Sequence, residues 1–212
     1  MIAELVSLLL ASSALGGLPE RMPPTDSCAR DPGFVAFRQS LEAAVARRDA
    51  AFILDAATDD IDYSFGEAGG RAGFVRRWGL SDSATSPFWD ELAGALRLGC
   101  ARDEGGAFWA PSMSLIGNED LGEDYYSAMV AVAPGAALRA GPSDAAPLVA
   151  PLRWDLVVLE DGYGEAPWLR ARLPDGRRGY IRRDLFRSFG DFRAIFEYRA
   201  GRWRMTAFVA GD

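Results

Sequence analysis

Apolar residues recur along the first part of the chain with the spacing of helices. Between Phe34 and Val45 they stand three or four positions apart, which places them on one face of a helix. Asp31 is suited to cap that helix and Pro32 to occupy its first turn. The pattern therefore predicts a helix that begins at this cap and ends near Arg48.

Short helices and strands alternate through the rest of the first segment. A second helix is expected over residues 50–57, and alternating apolar positions predict a strand over residues 61–65. Another helix is expected over residues 71–78. A further one begins after Ser86, a favourable cap followed by proline, and ends at Gly99.

The pattern changes to short apolar runs between Met129 and Leu185. Turn residues separate these runs at intervals of about 8 to 12 positions, which is typical of a small all-β barrel. The pair Asp175–Gly176 lies between two runs and predicts a tight hairpin. Trp168 and Tyr180, on the two strands of this hairpin, are expected in the core.

A second hairpin is predicted over residues 192–209, with its turn at Ala200–Gly201. Alternate residues form one apolar face, which comprises Phe192, Ala194, Phe196, Tyr198, Trp203, Met205, Ala207 and Val209. Because an isolated hairpin is marginal in water, it must pack on another part of the protein. Either it completes the sheet of the first segment, so that residues 129–185 form an insertion, or it packs on those residues.

Three features of the barrel-like stretch point to a known family. They are the Leu-Arg-x-Gly-Pro-Ser run at 138–143, Trp168 before a strand, and the Asp-Gly-Arg-x-Gly-Tyr-Ile run at 175–181. With these features the stretch resembles the bacterial SH3 domain family. The resemblance implies a small β-barrel that commonly binds cell-envelope peptides or serves as a spacer. Trp154 stands where many members have a glycine turn, and we take Trp154 and Tyr163 as candidate ligand contacts.

The flanking parts resemble NTF2-like and cystatin-like domains. The resemblance rests on the order helix, helix, strand, short helix, and on the closing Gly-x-Trp-x-Met-x-x-Phe-Val run at 201–209. In such domains a curved antiparallel sheet wraps a long helix and often leaves a pocket. This implies an alternative function, in which a pocket binds a small ligand or uses Asp60, Asp62 or Glu67 as a general acid or base.

Together these patterns predict an α+β fold. A small SH3-like β-barrel is inserted in, or appended to, a helix-plus-antiparallel-sheet domain. The predicted parts are a signal peptide at 1–16, a Pro-rich tether at 17–33, an NTF2-like α+β domain at 34–126 plus 189–212, and the SH3-like barrel at 129–185.

The signal peptide is predicted from Leu5–Leu15, an apolar run too short to span a bilayer, and from Ala14–Gly16, which fits the small-x-small rule for cleavage. The residues before the run lack a basic side chain and include Glu4, which leaves a buried helix of a cytosolic protein as the alternative. Export predicts a periplasmic or secreted protein, with no membrane span in the mature chain. In that compartment the two cysteines, Cys28 and Cys100, are expected to form a disulfide that fixes the tether; two unrelated thiols are the alternative.

Composition narrows the possible chemistry. The chain has no His, and all 23 of its basic residues are Arg. This excludes Ser-His-Asp and Cys-His nucleophiles, HExxH zinc sites, Schiff-base lysines and P-loop lysines. Asp60, Asp62 and Ser64 imitate the start of a calcium loop, but Phe65 and Arg71 stand where that loop requires glycine and glutamate. We therefore expect no metal site, no cofactor and no catalytic residue.

The net charge of −7 argues against nucleic acid as a partner, because phosphate binding requires a basic surface. The sequence favours an exported, non-catalytic binding or accessory protein of the cell envelope. Its expected partner is peptidoglycan or an envelope protein.

Overall fold

The computed structural model describes residues 18–64 and 69–211. The predicted signal peptide, residues 1–16, and the acid–base candidate Glu67 lie outside this part of the chain. Within it the protein has the predicted α+β fold, with two mostly antiparallel sheets. No helix of these residues is both long and apolar enough to cross a lipid bilayer.

The α-helices precede the second sheet. They are α1 Pro32–Arg47, α2 Ala50–Ala56, α3 Arg71–Trp78, α4 Phe88–Leu96 and α5 Asn118–Leu121. Short 3₁₀-helices span Ser27–Arg30, Leu80–Thr85, Ser112–Leu115, Gly122–Ser127 and Arg183–Leu185. The predicted start of α1 is confirmed, since the Asp31 carboxylate accepts a hydrogen bond from the Phe34 N–H at 2.8 Å. Arg48 ends α1 in the left-handed conformation, with φ of 55°.

The strands are β1 Ala57–Asp62, β2 Ala101–Arg102, β3 Phe108–Ala110, β4 Ala128–Ala131, β5 Ala137–Arg139, β6 Leu148–Pro151, β7 Leu156–Leu159, β8 Trp168–Arg172, β9 Arg178–Arg182, β10 Phe186–Ser188, β11 Arg193–Arg199 and β12 Arg202–Val209. The first sheet has the order β1-β12-β11-β3-β2, in which β1 and β12 are parallel and the other pairs antiparallel. The C-terminal hairpin β11–β12 therefore lies in the sheet of the first segment. Its turn residues, Ala200 and Gly201, both have positive φ, as this two-residue turn requires.

Strand β12 contains a bulge that the sequence pattern did not predict. Met205 and Ala207 pair with consecutive residues of β11, so Thr206 is an extra residue between them. The extra residue reverses the alternation of side chains. The prediction that Ala207 continues the apolar face of Met205 is therefore wrong, and Phe208 enters the core instead.

One face of the first sheet packs on the helices through what we call the aromatic core. The ring of Phe34 lies 4.7 Å from that of Phe108 and 5.0 Å from that of Trp203, both edge-on. A second group surrounds Phe88, which has Trp78 at 5.5 Å. The other aromatic members are Tyr63, Phe74, Trp89, Phe196 and Phe208.

The second sheet has the antiparallel order β10-β4-β7-β8-β9-β5-β6. The predicted short strands are confirmed. Strand pairing among the described residues does not join β10 to β6, so no closed barrel is found. The predicted β8–β9 hairpin closes where the Leu173 N–H donates to the Arg177 carbonyl at 2.8 Å, with Gly176 at φ of 89°.

The hairpin β8–β9 corrects the prediction for Trp168 and Tyr180. Leu169 pairs with Ile181, and both are buried in the core of the second sheet. Trp168 and Tyr180 lie at alternate positions on the opposite face and are only half-buried. The alternation of the strand, rather than the aromatic character of a residue, decides which face is buried.

Strands β4 and β7 are buried on both faces. One face belongs to what we call the aliphatic core, which includes Met129, Leu138, Val157 and Ile181. The other face presents Val130, Leu156 and Val158, which pack against Leu121 and Phe189. Continuous burial of this kind matches the unbroken apolar run of β7. The second sheet is therefore packed against the residues that connect it to the first.

The tether pairs with the second sheet at one end. The Leu156 N–H donates to the Glu20 carbonyl at 3.0 Å, and the Met22 N–H donates to the Trp154 carbonyl at 2.6 Å. Arg21 forms an antiparallel bridge with Asp155 between these two contacts. The predicted tether therefore pairs with the start of β7, an interior strand of the second sheet.

At its other end the tether is fixed to the first segment. The Cys100 N–H donates to the Thr25 carbonyl, and the Ser27 N–H donates to the Cys100 carbonyl, both at 2.9 Å. The predicted disulfide is present between Cys28 and Cys100, whose Cα atoms are 5.6 Å apart. A Cβ at Gly99 would lie 2.0 Å from the Thr25 carbonyl oxygen, so only glycine permits this approach. The tether thus holds the two sheets together.

Candidate binding site

The two predicted ligand contacts, Trp154 and Tyr163, lie beyond opposite ends of strand β7. Trp154 stands two residues before its first residue, and Tyr163 stands four residues after its last. They therefore do not share one site along this strand.

Trp154 occupies the turn before β7 with φ of 63°. Its N–H donates to the Ala131 carbonyl at 2.8 Å, and its own carbonyl receives the Met22 N–H. The Arg153 guanidinium carbon lies 6.0 Å from the centre of the indole ring, which is half-buried. The main chain of Trp154 thus positions the tether, while part of its ring stays accessible.

Tyr163 is held by its hydroxyl and exposes its ring. The hydroxyl donates to the Ala128 carbonyl at 3.1 Å, at the start of β4. Burial raises the pKa of the Tyr163 hydroxyl, against an opposing effect of the Ser188 side chain. The residue as a whole is nevertheless 46% exposed. An accessible ring anchored at its polar tip is suited to contact a partner without losing much conformational freedom.

Two further tyrosines lie at the same end of β4. Tyr126, two residues before Ala128, is 60% exposed, and its ring centre is 5.2 Å from that of Tyr125. Tyr125 in turn packs on Phe189 at 5.8 Å. Tyr125, Tyr126 and Tyr163 together form what we call the tyrosine patch.

A charged pair borders the tyrosine patch. The Arg172 guanidinium donates to both carboxylate oxygens of Asp124, at 2.8 and 2.9 Å. The sequence analysis did not single out Tyr125 and Tyr126, which stand at the end of the predicted α+β domain, 34–126. The adjacent Tyr-Tyr pair was the signal that could have identified them.

The carboxylates of the alternative function lie elsewhere. Asp60 and Asp62 border a shallow cleft of about 220 Å³, with Glu197 and Arg199, on the face of the first sheet that points away from the aromatic core. The Thr58 hydroxyl is the main cause that lowers the pKa of the Asp60 carboxyl. A general base that works near neutral pH requires a raised pKa, so this cleft gives the acid–base alternative no support.

The arginines on the outer face of β8–β9 are paired with acids. Glu160 binds both Arg170 and Arg178, at 3.3 and 3.0 Å, and Asp184 binds Arg182 at 2.8 Å. This face is therefore not a continuous basic surface. Over residues 18–64 and 69–211, no group of three or more His, Cys, Asp or Glu residues is placed to hold a metal ion.

Comparison of the chain with protein-family models, with curated proteins and with solved structures gives no significant match.

Proposed function

We propose that the chain is an exported, non-catalytic binding or accessory protein of the cell envelope. In this proposal an SH3-like second sheet contacts peptidoglycan or an envelope protein, and an NTF2-like first part carries it. The tyrosine patch supports the proposal most directly.

The chemistry of the patch favours binding. Tyrosine combines a large apolar ring with a polar tip, which is why it is enriched where proteins bind partners. Tyr126 and Tyr163 expose such rings beside the charged pair of Asp124 and Arg172. The hydroxyl of Tyr163 and the contact between Tyr125 and Tyr126 already order the rings, so little conformational entropy remains to be lost on binding.

Two other observations support an envelope location and a carrying role. A disulfide such as Cys28–Cys100 persists in oxidising compartments, which include the periplasm and the extracellular space. The tether and the packing of Phe189 on Val130 and Val158 fix the second sheet to the rest of the chain. The patch is therefore carried at a fixed orientation.

The test is sedimentation of the oxidised protein with purified peptidoglycan at low salt. We expect the wild-type protein to pellet, and Tyr126→Ala and Tyr163→Ala each to weaken binding about tenfold, as for aromatic residues central to an interface. Tyr163→Phe keeps the ring and should bind within about twofold of wild type, since only the anchoring hydroxyl is lost.

Leu148→Ala is the matched control. Leu148 is an exposed apolar residue of the same sheet, on β6, so its truncation should leave pelleting unchanged. If wild type does not pellet, peptidoglycan is ruled out as the partner, and the same variants are tested against envelope protein extracts. If the Tyr126 and Tyr163 variants pellet like wild type, the patch is not the contact.

A further inference from the structure

Tyr198, near the tip of the β11–β12 hairpin, is exposed although it is held in place. It is 63% exposed, in contrast to the burial predicted for this face. Its hydroxyl donates to the Gly201 carbonyl at 2.8 Å, and its ring lies edge-on to Trp203 at 5.8 Å. Two open clefts of about 770 and 480 Å³ meet at Tyr198 and share Gly33 and Trp203 as lining residues.

The larger cleft, which we call the donor cleft, is lined by two arginines, Arg30 and Arg102, and by one carboxylate, Asp31. Within the described part of the chain neither guanidinium is in an ion pair. The Asp31 carboxylate caps α1 by accepting the Phe34 N–H at 2.8 Å. Because two arginines face one carboxylate, the lining of the cleft has a net positive charge.

Trp203 adds a third donor to the donor cleft. The side chain is about nine-tenths buried, yet it lines both clefts. Its indole nitrogen lies 3.5 Å from where a Cβ on Gly33 would stand, so it sits at the floor that the clefts share. Among the described residues no acceptor meets this N–H. The indole N–H is therefore free to donate to a molecule that enters the cleft.

The smaller cleft, which we call the apolar cleft, has a different lining. Phe37 and Phe52 contribute rings, and Ala36 and Ala56 contribute methyl groups. Its charged residue Arg202 is neutralised by Asp55 at 2.9 Å. A ligand that spans both clefts would thus meet positive charge on one side of Tyr198 and apolar surface on the other.

We propose that the two clefts form one binding site for an amphipathic carboxylate, with an acyl chain of medium length. An ionised carboxylate accepts hydrogen bonds only, which complements Arg30, Arg102 and the Trp203 indole N–H. The acyl chain of the ligand then passes over Tyr198 and lies in the apolar cleft against Phe37. This site is separate from the tyrosine patch and does not depend on the proposed contact with the envelope.

Calorimetry with decanoate, below the concentration at which it forms micelles, tests the site. Wild type should bind decanoate at least tenfold more tightly than the neutral analogue decanamide. The double variant Arg30→Ala/Arg102→Ala should bind decanoate at least tenfold more weakly than wild type while its affinity for decanamide stays the same. Arg47→Ala, at the far end of α1, is the matched control and should bind like wild type.

Nuclear magnetic resonance gives a second readout that does not depend on folding of the arginine variants. The indole N–H signal of Trp203, assigned by its loss in Trp203→Phe, should shift at saturation with decanoate, and by more than at saturation with decanamide. Equal affinity for the two probes, or an unmoved Trp203 signal at saturation, would overturn the proposal. Tyr126→Ala should keep decanoate binding, which separates this site from the patch.

Discussion

The core beneath the first sheet and the core inside the second sheet differ in the side chains that fill them. Among the described residues, the aromatic core contains ten buried phenylalanine, tryptophan and tyrosine side chains. The aliphatic core contains leucine, alanine, valine, isoleucine and methionine, with Phe186 as its single aromatic member within the described chain. The two cores also differ in the sequence separation of the residues that pack together.

The aromatic core joins residues that are distant in sequence. Phe34 packs on Phe196 at 5.4 Å, so the start of α1 meets the C-terminal hairpin. The aliphatic core draws its residues from 129 to 186, mostly from neighbouring strands. The first part therefore depends on contacts between distant segments of the chain, whereas the second is built within the continuous segment 128–188.

The largest effect is expected from truncation in the aromatic core. Phe34→Ala should cost about 3–5 kcal/mol of unfolding free energy, because it leaves a cavity bordered by several rings. Leu138→Ala, equally buried in the aliphatic core, should cost less, about 2–3 kcal/mol. Urea unfolding followed by tryptophan fluorescence measures both. If Leu138→Ala lowers the unfolding free energy more than Phe34→Ala does, the protein does not depend more on the aromatic core than on the aliphatic core.

Removal of the disulfide should have the next largest effect. The double variant Cys28→Ala/Cys100→Ala should lose about 2–5 kcal/mol, because the unfolded chain is no longer cross-linked. Hydrogen exchange should show faster exchange at the Met22 and Leu156 amides, which the tether contacts hold. The Ile181 amide, within the second sheet, serves as the internal control and should change less. If hydrogen exchange becomes faster to the same extent at all three amides, the disulfide does not act specifically on the tether.

The smallest effect is a pH dependence at the junction of the two regions. Burial raises the pKa of the Glu91 carboxyl on α4, although the nearby Arg187 guanidinium lowers it. The folded state therefore binds the proton of Glu91 more readily than the unfolded state does. The resulting contribution of Glu91 to the free energy of unfolding is fully present below the pKa of the unfolded state. It is lost as pH rises through the folded pKa.

Glu91→Gln removes the titrating group and should abolish this contribution. Wild type should therefore gain stability relative to the variant as the pH is lowered from neutral. Urea unfolding at a series of pH values measures the difference. Parallel curves for the two proteins would show that Glu91 is not the cause. Glu42→Gln, an exposed carboxylate on α1, is the control.

Local patterns predicted those features that depend on neighbouring residues. The cap at Asp31, the turns at Ala200–Gly201 and around Gly176, and the helix-then-strand order follow from short-range rules. The disulfide between Cys28 and Cys100 followed from the presence of two cysteines in a chain expected to be exported. The cap, the turns and the order of elements each depend on a few neighbouring residues, and the disulfide has only one possible pairing because the chain has two cysteines.

Other features could not be obtained from pattern because they depend on distant backbone contacts. The tether binds Trp154 and Leu156 through main-chain groups. Such contacts cannot be recognised from the pattern of side chains, because every residue has these groups. The bulge at Thr206 is set by pairing with β11, and a strict alternation overlooked it. The tyrosine patch joins residues 125–126 to Tyr163 across the second sheet. Proximity of this kind appears only in the folded chain.

The parallel pairing of β1 with β12 determines the order in which the protein can fold. Ala57 pairs with Met205, so the first sheet cannot be completed until the chain has been synthesised as far as β12. Closing such a loop is slow compared with forming the hairpins of the second sheet. We therefore expect the inserted sheet to acquire structure first and the outer domain to close around it. Until then, the apolar face of α1 remains accessible to chaperones.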